Sequence, residues 1–368
     1  MHVGMALIFQ NPGDLRDDRE VYDAELALGL QAEPLGFQSL WAVDHHFSGY
    51  SMSPDPLQIL TWFAGQTEEL QLGTAVIVLP WHDPLRVAEQ VTLLDNISGG
   101  RLLLGIGRGL ARLEYEGFRV DRSTSRERFI EYAEALLTGL EEGGMHYEGD
   151  FLQQPHRDLR PAPQRSFVGR TWAAAVSPES APIMARLGTG LLVIPQKPWE
   201  VVAADLASYE KAWAIERPEE PPPPPLSGGF VFVDESADRA AELAHTYIGS
   251  YYRSILEHYE LATSANFDVR GYEFYSNVAD HVESRGVEGA AEDFISLMPW
   301  GTPEQVIDKV AAIEANIGIA GFFPFFSYGG MPYGEVSRNV DLFVDAVMPE
   351  LKSWDTASIS SPSSNDRH

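Results

Sequence analysis

The sequence predicts an α/β fold, a (β/α)8 TIM barrel with an insertion before the last strand. Three observations carry that expectation. Short apolar runs of strand character alternate with amphipathic helical segments almost from end to end, and that rhythm implies parallel strands joined by right-handed crossovers. The runs number eight, which favours a closed barrel over an open sheet. The 368 residues suit one α/β barrel, a fold that outgrows the average domain length.

In chain order, the expected strands are residues 3–9, 39–43, 72–78, 102–106, 171–176, 190–194, 230–233 and 321–325. Between the third and fourth, Pro84–Ile97 reads as a helix with Val87, Val91 and Leu94 on one face. Asp83 can cap its start, Pro84 suits its first turn, and Gly99 and Gly100 stop it. Two stretches break the rhythm. Residues 216–229 hold Pro221 to Pro225 in a row, an extended spacer that bridges two elements of one domain. Residues 255–300 form the insertion, with His258-Tyr259-Glu260 and Arg270-Gly271-Tyr272-Glu273, rich enough in aromatics to pack as helices over the barrel mouth. The barrel domain is expected to span 1–354, and the Ser-rich 355–368 to be a disordered tail.

Composition narrows the function classes. With 44% hydrophobic and 22% charged residues, the chain is ordinary globular material. The absence of cysteine removes disulfides, thiolate metal sites and cysteine nucleophiles. No apolar run approaches the ~20 residues of a membrane span, and the start lacks the basic residues of a signal peptide. A cytoplasmic protein with no membrane partner is expected. The net charge of −28, from 54 acidic against 26 basic residues, repels nucleic acid. An anionic ligand must then be held by locally placed arginines against the overall field.

Four stretches carry candidate chemistry, each at the end of an expected strand, where barrel enzymes place reactive groups. In Trp41-Ala42-Val43-Asp44-His45-His46-Phe47, alternation sends His45 and His46 to opposite sides, which argues against a shared metal. His45 with the carboxylate of Asp44 nearby is a plausible general base or donor near neutral pH; the alternative is a satisfied polar pair at the rim. In Gly105-Ile106-Gly107-Arg108-Gly109 and the later Arg126, glycines permit close backbone approach and arginine forks match phosphate. The spacing of a dinucleotide fingerprint is missing, and a structural turn is the competing reading. In Val176-Ser177-Pro178-Glu179-Ser180, Ser177 and Pro178 mark a helix start that could bind an anion, although most such caps are structural. In the run from Gly73 to His82, Thr74 and Ala75 are small enough to leave room for a flat ring, or belong to an ordinary strand; His82 reads as a loop residue.

Together, Trp41 to Phe47, Gly73 to Pro80 and Leu94 to Gly109 resemble the bacterial luciferase-like flavin-dependent monooxygenases. The likeness covers roughly residues 1–190 and returns at Gly301-Thr302-Pro303-Glu304-Gln305 and Gly321-Phe322-Phe323. It implies that His45 is the proton-handling histidine, with Asp44 where a glutamate is common. It also implies that Arg108, Arg126, Ser177 and Ser180 hold the FMN phosphate, with Val176 in place of an acidic neighbour. Thr74, Ala75 and Val76 would lie beneath the flavin ring, with a non-proline cis peptide at Ala75-Val76. Gly107 replaces the luciferase's reactive cysteine, so light emission is not implied. The resemblance predicts a two-component monooxygenase in which a separate flavin reductase supplies reduced FMN, O2 is consumed, and a small aldehyde or ketone is oxidised. It also suggests a homodimer, with Trp81 or the Pro84–Ile97 helix at its interface, and a pocket shaped by the insertion and by Phe323 to Phe326. Two other readings remain: a deazaflavin-dependent hydride-transfer enzyme on the same barrel, and a non-catalytic flavin-binding protein. A metal-dependent hydrolase is disfavoured by the alternation at His45 and His46.

Overall fold

Eight parallel strands close on each other: β1 (His2–Leu7), β2 (Ser39–Ala42), β3 (Gln71–Thr74), β4 (Leu102–Gly107), β5 (Thr171–Ala174), β6 (Gly190–Val193), β7 (Leu226–Phe230) and β8 (Gly321–Phe325). This is a computed structural model, and it describes residues 1–174 and 179–359. Pairing runs β3-β2-β1-β8-β7-β6-β5-β4, and a β3–β4 pairing completes the cylinder. The register sets His2 against Gly321 on one side of β1 and Gly4 against Ser39 on the other. The closing seam joins Leu72 to Leu102 and Gly73 to Leu103. The expected (β/α)8 barrel is therefore the observed one.

The large aromatics on the strands are matched by glycines on their neighbours, the complementarity that fills a barrel to native density. Trp41 of β2 is buried and lies over Gly73, where an added Cβ would sit 2.2 Å from the indole. It stacks on Phe323 with ring centroids 4.8 Å apart. Trp172 of β5 is buried over Gly190 of β6 in the same manner. Phe323 thus fills the space beside Trp41, so the run Phe323 to Phe326 builds core and does not border the cleft described below.

Boundaries differ from expectation where hydrogen bonding overrides composition. The seventh strand is Leu226–Phe230, beginning directly after Pro225, while Phe232–Val233 pairs separately with Trp300–Gly301. Two glycines, Gly228 and Gly229, obscure a strand that is fully buried between β6 and β8. The third expected strand is interrupted: after Thr74 the chain passes through a cis Ala75-Val76 peptide and rejoins β4 as Ile77–Val78. The Pro84–Ile97 helix forms as expected, capped by the Asp83 side chain. Thr302 and Gln305 form a reciprocal capping box ahead of the Pro303–Ile317 helix. At the chain end, Ile359 is buried near Gly321, so the first part of the expected tail is anchored; residues 360–368 lie outside the described residues.

The motif around Asp95 locks the end of the barrel where the strands begin. Arg170 precedes β5, is fully buried, and reaches Asp95 at 2.6 Å and the carbonyls of Ser166, Arg165 and Leu102 at 2.6–2.9 Å. Arg101 donates to the carbonyls of Ala64, Leu70 and Ser98 at 2.7–2.9 Å. With every donor directed at an acceptor, these charges are tolerated in the interior. Among the described residues, no helix is long and apolar enough to cross a membrane.

The insertion consists mainly of the end of the Ala237–His258 helix, a short turn at Ser264–Phe267 and the Glu273–Ser296 helix. It covers the end of the barrel where β2, β4 and β5 finish. This placement makes it part of the site.

Candidate active site

Thr74 and Gly105 explain how β3 and β4 approach at the interrupted strand. The Thr74 hydroxyl donates to the Gly105 carbonyl and accepts from the Gly105 N–H, both at 2.8 Å. A Cβ on Gly105 would fall 1.8 Å from the Thr74 carbonyl oxygen, and one on Gly107 would fall 2.4 Å from a Val76 methyl. The glycines expected to admit a ligand therefore first admit the neighbouring strand. Thr74 faces this seam, while Ala75 and Val76 line a cleft at the barrel mouth.

That cleft is open to solvent at its mouth. His45, Arg108, Arg126, Ser180, Ala75 and Val76 all border it, brought together from β2, β3, β4 and the helices after β4 and β5. Val176 and Ser177 lie outside the described residues. Ser180 opens the Ser180–Leu187 helix, so its hydroxyl stands at the positive end of the helix dipole. Arg108 and Arg126 converge on one acceptor, the Gly271 carbonyl, at 2.6 and 3.3 Å. Arg108 also lies over the Tyr272 ring, 4.2 Å from its centroid, and its carbonyl accepts from the Tyr115 hydroxyl. Arg126 has Glu179 at 3.6 Å.

The carboxylate of His45 is Glu114, not the adjacent Asp44. Glu114 Oε1 meets His45 Nδ1 at 3.0 Å and accepts the His46 N–H at 2.9 Å. Burial alone would raise the Glu114 carboxyl, but the charge of His45 and the two imidazoles facing it hold it at about 2. A carboxylate in this position fixes the proton of His45 on Nδ1 and leaves Nε2 for chemistry. His45 Nε2 has the Tyr259 hydroxyl at 3.4 Å. Burial pushes that phenol well above its ordinary pKa, so it is a neutral donor.

Asp44 points away with His46, as alternation demands. Its oxygens meet His46 Nε2 at 2.9 Å, His82 Nε2 at 3.2 Å and the Val78 N–H at 2.9 Å. Burial acts to raise its pKa, yet the hydrogen bonds from His46 and His82 outweigh it and keep the carboxyl ionised. Asp44 borders the cleft but spends its bonds fastening the segment after the cis peptide, and His82 serves that fastening.

Glu114, the direct contacts of Gly271 and Tyr275, which also borders the cleft, are not among the expectations from the sequence. The signal for Glu114 was present: an acidic residue six places after Arg108, at the start of the Arg112–Phe118 helix. Nothing local linked Gly271 to Arg108 across 163 residues.

The lining of this cleft combines cationic, hydroxylic, apolar and basic groups. Arg108, Arg126 and Ser180 suit a phosphate; Ala75, Val76 and Leu192 suit a flat ring; His45 adds an imidazole to the same lining. The donor set fits the phosphate and ring of a flavin-type cofactor.

The luciferase-like monooxygenase family model matches residues 1–320. The chain belongs to this family. Its members are flavin-dependent oxidoreductases, and this chain is an enzyme of that class. It is 25% identical over 360 residues to the alkanal monooxygenase alpha chain of the Kryptophanaron alfredi symbiont, covering 96% of this chain and 99% of the relative. It is also 25% identical over 364 residues to the oxygenase component of the flavin-dependent trigonelline monooxygenase of Acinetobacter baylyi, covering 95% of each. Among solved structures, the monooxygenase RslO1 from Streptomyces bottropensis superposes with a TM-score of 0.77 at 24% identity, covering 95% of this chain and 100% of that one.

Proposed function

We propose that this luciferase-like monooxygenase is the cytoplasmic oxygenase of a two-component system, oxidising a small aldehyde or ketone with O2 and reduced FMN delivered by a separate flavin reductase. One observation carries the reading: His45, the Arg108–Arg126 pair and the apolar Ala75, Val76 and Leu192 all line a single cleft. The relative from Acinetobacter baylyi, an oxygenase component by name, supports the division between two proteins.

Reduced FMN supplies the oxygen-activating chemistry when bound. Arg108, Arg126 and the Ser180 hydroxyl would hold its phosphate. Ala75 and Val76 support one face of the ring, with Thr74 fixing their backbone from behind. Tyr259 and Tyr275 cover the cleft from the insertion and exclude water. His45 Nε2 takes or returns a proton at the reacting oxygen while Glu114 stabilises the imidazolium. Asp44 supports the catalytic histidine through the backbone they share.

Oxygen-dependent product formation with supplied reduced FMN tests this. His45→Ala is expected to lower kcat by about 10²–10⁴-fold while FMN affinity is retained, and Arg108→Ala to weaken FMN binding. Turnover unaffected by His45→Ala, or tighter binding of a deazaflavin accompanied by O2-independent hydride transfer, would overturn the reading. A homodimer is part of the proposal, supported by the exposed Trp62, Leu93 and Ile97 on the Pro56–Ala64 and Pro84–Ile97 helices. Sedimentation is expected to give twice the chain mass, and Leu93→Asp to give the monomer.

A further inference from the structure

Glu114 faces a second imidazole. His258, the last residue of the Ala237–His258 helix, places Nε2 3.4 Å from Glu114 Oε1, the oxygen that also meets His45 Nδ1 at 3.0 Å. The side chains of His258 and Glu114 are each 1% exposed. Yet His258 Nε2 makes no hydrogen bond with any described residue, Glu114 included. The ring is nevertheless held firmly: Nδ1 meets the Ser48 hydroxyl at 3.0 Å, and Tyr50 stacks on it with centroids 4.4 Å apart. A buried, fixed nitrogen without a partner is costly, and it calls for one that the chain itself does not supply.

The surroundings specify that partner. With its proton on Nδ1 and donated to Ser48, His258 turns the Nε2 lone pair towards a carboxylate. Two acceptors then face each other, and a cation reconciles them. A zinc-sized ion, bound at about 2.0–2.2 Å by imidazole and carboxylate, sets neighbouring ligand atoms about 3.3 Å apart in a tetrahedron. Glu114 Oε1 lies 3.0 and 3.4 Å from the two nitrogens, and ligand atoms of the three residues all lie within 4.8 Å of one another. Two imidazoles and a carboxylate suit divalent transition-metal ions. Asp44, His46 and His82 form a second such cluster, but there both imidazoles already have Asp44 as hydrogen-bond partner. His45 and His46 thus belong to different clusters, as alternation requires.

We infer that His45 Nδ1, Glu114 and His258 Nε2 form a binding site for a divalent transition-metal ion such as Zn2+, and that its occupation switches the enzyme off. The switch rests on the reading of His45 as the proton-handling group. Ligation at Nδ1 displaces the proton that Glu114 holds there, and the ring's single proton then sits on Nε2, beside the Tyr259 hydroxyl. No proton is gained or lost and nothing is oxidised. An imidazole in that state has no lone pair left to take a proton from the reacting oxygen. The ion has a route of its own. Ser48 and His258 border an open outer pocket that also carries Asp14 and Glu257, with Glu116 and Glu260 paired there to Arg112. Acidic groups outnumber the one arginine, which draws cations inward.

The test is a titration of the full, cofactor-free chain with Co2+, whose visible absorption strengthens when protein ligands replace its six waters in a site of lower coordination number. A band saturating at one equivalent, and displaced by Zn2+, is the expected result. His258→Phe keeps a ring against Tyr50 but removes the ligand, so the band is expected to vanish. Ser48→Ala frees the His258 ring, and affinity is expected to fall about tenfold. Absence of the band from the wild type overturns the site. So does a band that persists in His258→Phe, or one lost in His82→Asn instead. If His258→Phe fails to fold, His258→Gln decides by the same criterion. In the oxygenation assay, Zn2+ is expected to stop the wild type and to spare the turnover of His258→Phe. Bound zinc without inhibition, in a protein that His45→Ala inactivates, overturns the switch. If His45→Ala is itself active, the reading of His45 fails, while the cobalt band still reports on the site.

Discussion

Glu114 decides which nitrogen of His45 faces the cleft, and its own ionisation leaves a signature in stability. Its pKa of about 2 lies below the ordinary value of 4.5, so the unfolded chain binds the proton more readily. The stability it contributes is complete above about pH 4.5 and is lost as pH falls towards 2. Glu114→Gln is therefore expected to flatten the acid limb of a stability–pH curve over that interval, as read by urea unfolding. Glu25 carries the opposite sign. Burial raises it to about 7 against hydrogen bonds from Ser327, Phe9 and Ile8. The folded state then holds the extra proton, and stability falls as pH rises from about 4.5 through 7. Glu25→Gln is expected to stabilise the protein above pH 7, by at most about 3 kcal/mol, and to change nothing below pH 4.

At the scale of elements, the seam between β3 and β4 is the tightest fit beside the cleft. Gly107→Ala sets a methyl against Val76, and the Ala75-Val76 segment must shift. The expected outcome is a loss of FMN affinity larger than the loss of thermal stability, measured by fluorescence titration and calorimetry. This seam also shows what was legible in the sequence. The spacing of Gly105, Gly107 and Arg108 located the turn, because close approach requires glycine wherever it occurs. Whether ligand or neighbouring strand was approaching is a long-range fact that spacing does not encode. The same limit explains Asp44 and Glu114. Alternation along 44–46 separated His45 from His46, and applied one residue earlier it would have separated His45 from Asp44. Its true partner came from a helix 69 residues on. Strand seven was obscured because Gly228 and Gly229 carry no apolar side chains, although backbone pairing on both sides secures them.

For the whole molecule, two opposing placements of charge matter. Asp95 and Arg170 fasten the closed end of the cylinder, and Asp95→Ala strands a buried guanidinium. A cost of about 3–5 kcal/mol is expected, read as a lowered unfolding midpoint with FMN affinity preserved, since the cleft is at the other end. The net charge of −28 acts on the ligand's approach. A phosphate dianion is repelled at a distance and captured only near Arg108 and Arg126, so salt is expected to speed FMN association by screening the repulsion. A stopped-flow rate that falls with ionic strength would contradict this.

The Gly271 carbonyl has one more consequence. It draws on the same two guanidinium groups that would receive a phosphate, so the insertion and the cofactor are rivals for, or sharers of, one pair of forks. Loading the protein must then be felt in the backbone around Gly271. A protease attacking that stretch at different rates in the empty and filled protein would serve as a gauge of occupancy that requires no substrate.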